Sequence, residues 1–284
     1  MKLFKKIVDI QTWAEKIHKK GEDIALVPTM GCFHKGHLSL MQKGKELCNH
    51  VVVSLFVNPT QFGKNEDFNS YPENIKKDIK LAKTIDVSAI FLADKKEIYP
   101  EKFQTYVELT HLPSYLCGRT RQGHFKGVTT IITKLFNIIK PDKAIFGSKD
   151  FQQVQIIRQM TYDLNYNIEI IECPTVREDD NLAMSSRNIY LTSEQRKSAL
   201  SLSRALKKAK KMIVKEKNLN GDSIKNEIER YINSFPFTEI DYIALCDPET
   251  LRNVINIKKS VLFALAIKIG KTRLIDNIII NPAK

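Results

Sequence analysis

Between residues 24 and 173, short apolar runs alternate with segments whose apolar residues recur at helical spacing. No other feature constrains the fold as much. The pattern predicts strands at 24–28, 51–57, 87–92, 144–146 and 168–173. Between them it predicts helices at 36–48, 73–83, 128–139 and 150–164. The 51–57 run is almost continuously apolar, as expected of a strand covered on both faces of a parallel sheet. In the 73–83 helix Ile75 and Ile79 stand at i, i+4, and Ser70 is placed to cap it, three residues before Glu73. Strand and helix in alternation mean βαβ units. The expected class is therefore α/β, a Rossmann-like doubly wound parallel sheet that takes ligands at the carboxyl ends of its strands.

The character changes after Pro174. Thr192 opens a long Lys-rich helix, with Gln195 three residues on to complete a capping box, and a second helix follows near 223–233. Strand-like runs at 242–245, 261–267 and 274–280 have no helices between them. A chain of 284 residues accommodates two domains. They are expected at 1–175, a nucleotide-binding Rossmann-like domain, and 176–284, a smaller α+β domain that closes over the site.

Several classes are disfavoured. The longest apolar run, 261–267, is far short of the ~20 residues a membrane helix needs, so no membrane partner is expected. Lys2, Lys5 and Lys6 are followed by Asp9 and Gln11 before any apolar stretch long enough for a secretory signal, which points to the cytoplasm. Five cysteines (Cys32, Cys48, Cys117, Cys173 and Cys246) form no C-x-x-C pair and read as small apolar residues in a reducing compartment. The formal charge of +13 favours an anionic partner: nucleic acid, a membrane surface or a nucleotide. Much of it is Lys on a helix surface (Lys207, Lys208, Lys210, Lys211, Lys215, Lys217), which reads as a solvated face. An RNA-binding protein would interleave aromatics with basic residues. Here aromatics are 8% and lie mostly inside apolar runs, so no nucleic-acid partner is expected.

The chemistry concentrates in Pro28-Thr29-Met30-Gly31-Cys32-Phe33-His34-Lys35-Gly36-His37, where the first predicted strand gives way to a helix. Two glycines permit a tight turn and close backbone approach to a ligand. His34 and His37, three apart, present their imidazoles on one side of the helix start. Free N–H groups and the positive dipole end are expected there, and together these make a phosphate cradle whose imidazoles can donate hydrogen bonds to phosphate oxygens. A zinc site is the rival reading. It lacks the i, i+4 spacing and adjacent Glu of a metalloprotease helix and a nearby third ligand, so no protein-bound metal is expected.

This stretch resembles the H-x-G-H signature of nucleotidyltransferases that transfer AMP. Four further segments, in order and register, are similar to those of the pantothenate synthetase (pantoate–β-alanine ligase) family. They are Phe56-Val57-Asn58-Pro59-Thr60-Gln61-Phe62, Gly123-His124-Phe125-Lys126-Gly127-Val128, Phe146-Gly147-Ser148-Lys149-Asp150-Phe151-Gln152-Gln153 and Ala183-Met184-Ser185-Ser186-Arg187-Asn188. The resemblance implies a two-step, ATP-dependent condensation. Pantoate attacks the α-phosphate of ATP, giving pantoyl adenylate and pyrophosphate; β-alanine then attacks the acyl carbon and releases AMP.

It also implies roles. Met30, Gly31, Cys32, Phe33, His34, Lys35, Gly36 and His37 fall on the ATP site, with Gly147, Ser148, Lys149, Asp150, Val176, Met184, Ser185, Ser186 and Arg187. His37, His34 and Lys149 are the catalytic candidates, and Mg²⁺ is implied with ATP. Gln61 and Gln153 match the pantoate-binding glutamines, Gln61 also lying near β-alanine, while Asn58 and Tyr71 line the same cleft. A homodimer is implied. The residues suit the chemistry independently. A carboxylate nucleophile is already ionised and needs no base, so cations and donors that offset charge on phosphate are what the first step requires. An enzyme that adenylates a different small acid would share that machinery and differ around Gln61 and Gln153. The chain departs from the family's usual residues at Cys32-Phe33, Lys35, Cys117, Ser148 and Asn181.

Overall fold

The protein was analysed as a computed structural model, which describes residues 1–63 and 66–282. In chain order its principal elements are β1 (Lys2–Phe4), α1 (Ile7–His18), β2 (Ile24–Thr29), α2 (Lys35–Leu47), β3 (His50–Leu55), α3 (Ile75–Thr84), β4 (Ala89–Phe91), α4 (Lys95–Ile98), α5 (His124–Ile139), β5 (Lys143–Gly147), α6 (Phe151–Asp163) and β6 (Glu169–Cys173). Then come α7 (Ser193–Val214), α8 (Gly221–Asn233), β7 (Thr238–Cys246), β8 (Val261–Ile269) and β9 (Thr272–Ile280). The described residues divide into two compact units. The first comprises Met1–Thr110, Arg121–Ser148 and Gln153–Pro174; the second comprises His111–Thr120, Lys149–Gln152 and Thr175–Lys284. Two short inner segments thus group with the C-terminal part of the chain.

The first unit holds a six-stranded sheet in the order β1-β4-β3-β2-β5-β6, parallel throughout. From β2 the chain winds one way through β3 and β4, then returns to add β5 and β6 on the other side. The order therefore reverses between β2 and β5, the point at which such sheets bind ligands. The pairing Ala25↔Lys143 and Leu26↔Ala144 sets the carboxyl ends of β2 and β5 on one edge of the sheet. Val51, Val53, Leu55, Val27, Ile90 and Ile145 are buried among Met41 of α2 and Ala82 of α3. This is the doubly wound α/β class anticipated above.

Local differences have identifiable causes. Helix α3 starts at Ile75, and its cap is Asn74, whose side chain accepts from the Lys77 amide, so Ser70 is not the cap. Asn serves as well as Ser there. Helix α5 starts at His124, four residues before the expected 128, because Gly123 at φ +79° supplies the left-handed entry. Strand β1 and helix α1 were not anticipated, although Ile10, Trp13, Ala14 and Ile17 of α1 are buried at helical spacing.

The second unit has the antiparallel sheet β7-β8-β9. Its core joins Phe263, Leu265 and Ile267 of β8 to Leu202 and Leu206 of α7 and Ile224 and Ile228 of α8. The Thr192–Gln195 capping box forms as expected. No described helix is long and apolar enough to cross a membrane. Cys48, Cys117, Cys173 and Cys246 are buried free thiols and Cys32 is half-buried. Burial pushes the Cys48 and Cys246 thiols up to about 12, so both are inert at neutral pH.

Candidate active site

In the first unit the turn after β2 gathers backbone amides, a buried carboxylate and two histidines. Gly31 takes φ +89° and Cys32 φ +54°, reversing the chain before α2. A side chain at 31 would meet both that conformation and the Asp78 carboxylate, 3.1 Å from a Cβ. Asp78, on α3, is 1% exposed; its Oδ2 accepts from the Cys32 amide at 2.8 Å and its Oδ1 from the Phe33 amide at 2.7 Å. Burial raises the Cys32 thiol, and the Asp78 charge adds to that, against a smaller opposing effect from Lys77.

The two histidines close a reciprocal cap. The Gly36 amide donates to His34 Nδ1 at 3.1 Å, and the His34 amide donates to His37 Nδ1 at 3.4 Å. The rings lie with centroids 4.1 Å apart, and Phe33 sits 5.5 Å from the His37 ring. A nitrogen that accepts carries no proton, so each neutral ring has its hydrogen on Nε2. Both imidazoles are thereby set up as Nε2–H donors. The sequence suggested a cradle of backbone N–H groups and imidazoles; of the backbone groups, the amides of Cys32, Phe33, His34 and Gly36 already donate to side chains. Lys35 is exposed.

Beside this turn, Gln61 is buried; its Nε2 donates to Met30 Sδ and its Oε1 accepts from Asn58 Nδ2, both at 3.0 Å. A thioether is a weak acceptor, easily replaced by a substrate oxygen. Asn58 differs. Its Nδ2 also donates to the Gly127 carbonyl, and its Oδ1 accepts from Thr60 Oγ1 and from Tyr99 Oη at 2.8 Å. Two donors and two acceptor positions are all engaged, so Asn58 braces Gln61 rather than offering itself to a ligand. Tyr71 packs edge-on to Phe62, with centroids 5.9 Å apart.

Sequence reading missed what holds the Gln61 turn. A Cβ on Gly127 would overlap the Thr60 carbonyl, so only glycine lets α5 approach. His124 Nδ1 meets the Gln61 carbonyl at 2.7 Å and Arg121 Nη1 meets His124 Nε2 at 2.9 Å, while Arg121 grips Glu66 with two bonds of 2.6 and 2.7 Å. An arginine only donates, so His124 carries its hydrogen on Nδ1. Burial works to raise the Glu66 carboxyl, but the Arg121 bonds and charge outweigh it and leave it below the usual range. The sequence signal was the Gly123–His124–Gly127 spacing, in which Gly127 allows the close approach and His124 ties the turn.

After β5, Gly147 and Ser148 belong to the first unit; the Ser148 hydroxyl donates to the Cys173 carbonyl at 2.8 Å. Lys149 and Asp150 belong to the second unit, with Lys149 Nζ 3.6 Å from the Asp150 carboxylate and the Lys149 carbonyl accepting from Asn277 Nδ2. Gln152 is buried and committed: its Nε2 donates to the Leu112 and Tyr115 carbonyls and its Oε1 accepts from the Cys117 amide and thiol. Cys117 is thereby part of a loop clamp. Gln153 follows it half-buried, in the first unit.

The second unit brings its own candidates together. The Met184 amide donates to the Val176 carbonyl at 3.0 Å, and Arg177 bridges Ala183, so 176–184 folds back on itself. Asn181, at φ +73°, makes that reversal in a conformation open mainly to Gly and Asn. Ser185 Oγ accepts from the Arg187 amide, and Ser186 is buried. Arg177 grips Asp276, 2% exposed, with bonds of 2.6 and 2.9 Å. Arg196 holds Glu178 and Asp180, and Asn188 Nδ2 donates to Glu178 at 2.6 Å.

Among the described residues no three His, Cys, Asp or Glu side chains are grouped to hold a metal ion.

Comparison with known proteins agrees in family and fold. A model of pantoate-beta-alanine ligase matches residues 2–279. Pantothenate synthetases from Desulforapulum autotrophicum and Acetivibrio thermocellus are 51% and 48% identical, over 99% of this chain and 99–100% of theirs. The crystal structure of the Thermus thermophilus pantothenate synthetase superposes with a TM-score of 0.92 at 35% identity, covering 98% of this chain and 99% of that one. A Francisella tularensis pantoate-beta-alanine ligase, complexed with beta-gamma ATP and beta-alanine, gives 0.81 at 33% identity over 98% and 97%. Whole-length sequence similarity and a shared fold lead to one conclusion: the chain belongs to the pantoate–β-alanine ligase family.

Proposed function

We propose that the chain performs its family's reaction through a pantoyl adenylate. In the first step a pantoate carboxylate oxygen attacks the α-phosphorus of ATP and pyrophosphate leaves with the P–O electron pair. The carboxylate is already anionic, so the chain's task is to offset charge and fix direction. His34 and His37 donate Nε2–H bonds to phosphate oxygens. Lys149 adds an ammonium, and Ser185, Ser186 and Arg187 add hydroxyls and a guanidinium. Met30, Gly31, Cys32, Phe33, Lys35, Gly36, Gly147, Ser148, Asp150, Val176 and Met184 frame the nucleotide. Gln61 and Gln153 read the pantoate carboxylate and hydroxyls, with Tyr71 beside them and Asn58 as the brace behind Gln61. In the second step the β-alanine amine attacks the acyl carbon and AMP departs. Holding amine and acyl group together supplies most of the drive.

Magnesium arrives as part of the nucleotide substrate, neutralising triphosphate charge. We further propose a cytoplasmic homodimer, and the division into 1–175 and 176–284 as the functional one.

The observation that carries this reading is the reciprocal Nδ1 cap, which turns two histidines three residues apart into a pair of Nε2–H donors. Pantoate-stimulated exchange of labelled pyrophosphate into ATP, with no β-alanine present, tests it. Exchange that depends on pantoate is expected; exchange with an unrelated hydroxy acid and none with pantoate favours a different acid substrate.

A further inference from the structure

We propose that Asp78 is a positioning residue for the adenylation step, acting through the turn that carries His34 and His37. The idea rests on the reading that residues 30–37 hold the nucleotide. Three observations carry it. The carboxylate is 1% exposed, and it accepts from the two amides immediately before His34, one per oxygen at 2.8 and 2.7 Å. The Gly31 backbone runs so close that a Cβ there would sit 3.1 Å from Oδ2. Finally, the turn holds left-handed φ values at both Gly31 and Cys32, a conformation that needs an external restraint at the non-glycine position.

The clamp has a chemical consequence. A carboxylate seated on the Cys32 and Phe33 amides fills the place an anion would take there, so a phosphate is left to the imidazoles. It also fixes the residues from which the His34–His37 cap begins. Loosening it lets the imidazoles wander by fractions of an ångström, and a misplacement of about 1 Å costs on the order of a hundredfold in rate.

Asp78→Asn tests this, because its amide must turn an N–H toward one of the two backbone N–H groups. The control is Asn74→Ala, which removes the cap of the same helix and leaves the turn untouched. In Asp78→Asn, hydrogen exchange at the Cys32 and Phe33 amides should accelerate. Its kcat in pyrophosphate exchange should fall about a hundredfold, with KM for ATP raised and KM for pantoate within about twofold of wild type. Asn74→Ala should lower the melting temperature and leave both KM values in place. If Asp78→Asn raises both KM values equally, or matches Asn74→Ala throughout, Asp78 is only structural and the proposal falls. Should Asp78→Asn fail to fold, Asp78→Glu, which keeps the charge but displaces the carboxyl by one methylene, must show the same ATP-selective loss; an unchanged KM for ATP overturns the proposal. Wild-type protein without pantoate-stimulated exchange removes the functional reading instead, and the amide-exchange measurement still reports on the clamp.

Discussion

The turn at 30–37 and the strap at 176–187, each proposed to serve the nucleotide, are fixed by opposite means. Each depends on a buried acid. Asp78 is met by two neutral amides of the turn itself, whereas Asp276 is met by the guanidinium of Arg177. In the turn, backbone donors are consumed by folding, and side chains are left for chemistry. In the strap, one arginine is consumed by folding, and the hydroxyls and Arg187 that follow it are the groups proposed for substrate. The proposed phosphate role of the turn therefore rests on the imidazoles, held by their inner nitrogens, more than on its engaged amides.

Four measurements break or sharpen that contrast. The largest effect is expected from Gly127→Ala, where a Cβ overlapping the Thr60 carbonyl forces α5 off the Gln61 turn. A loss of about 3 kcal/mol in chemical denaturation, or no folded protein, is expected, together with loss of pantoate use. His37→Ala should raise the barrier by about 3 kcal/mol, roughly a hundredfold in kcat, while costing only ~1 kcal/mol of stability for the lost cap. Steady-state kinetics and a melting curve read the two separately, and an unchanged turnover removes His37 from the site. Arg177→Met leaves Asp276 buried without its cation. About 2 kcal/mol is expected, less than for a fully buried pair because the guanidinium is 29% exposed. A loss no larger than for a surface arginine would show that the strap is held elsewhere.

The smallest effect concerns acid. The Glu66 carboxyl lies below its ordinary value of 4.5 in the folded chain. Its contribution is therefore complete above that value and is lost as the pH falls through the lower, folded one. The stability difference between wild type and Arg121→Met should be widest at pH 7 and shrink below about pH 4. A difference that stays constant with pH would detach Glu66 from the Arg121–His124 brace.

Legibility in the sequence followed the physics of each element. The strands at β2, β3 and β5 were readable because burial on both faces leaves largely apolar runs. The partly exposed β6, interrupted by Glu169 and Glu172, was readable instead from its isoleucines and its place after a helix. Strand β1 has three residues and no such run, so only its pairing with β4 reveals it. The histidine pair was legible as a pair, but its mutual capping was not, since nothing in H-x-G-H says which nitrogen faces the backbone. Asp78 was invisible for a different reason. An acid on an amphipathic helix reads as solvated, and only the register of α3 against the turn buries it. Asp276, on strand β9, was hidden for another reason, since its partner Arg177 lies 99 residues away. Glutamine was ambiguous in both directions: Gln152 proved to be a structural clamp, and its neighbour Gln153 keeps its proposed role with pantoate.

The central claim is that a pantoate carboxylate oxygen becomes the bridge to the nucleotide. Turnover with pantoate carrying ¹⁸O in its carboxylate, in the presence of ATP and β-alanine, tests it most directly by mass spectrometry of the products. The account predicts one labelled oxygen in AMP and none in pyrophosphate. Label in a phosphate product other than AMP, or unlabelled AMP alongside newly made pantothenate, would contradict it.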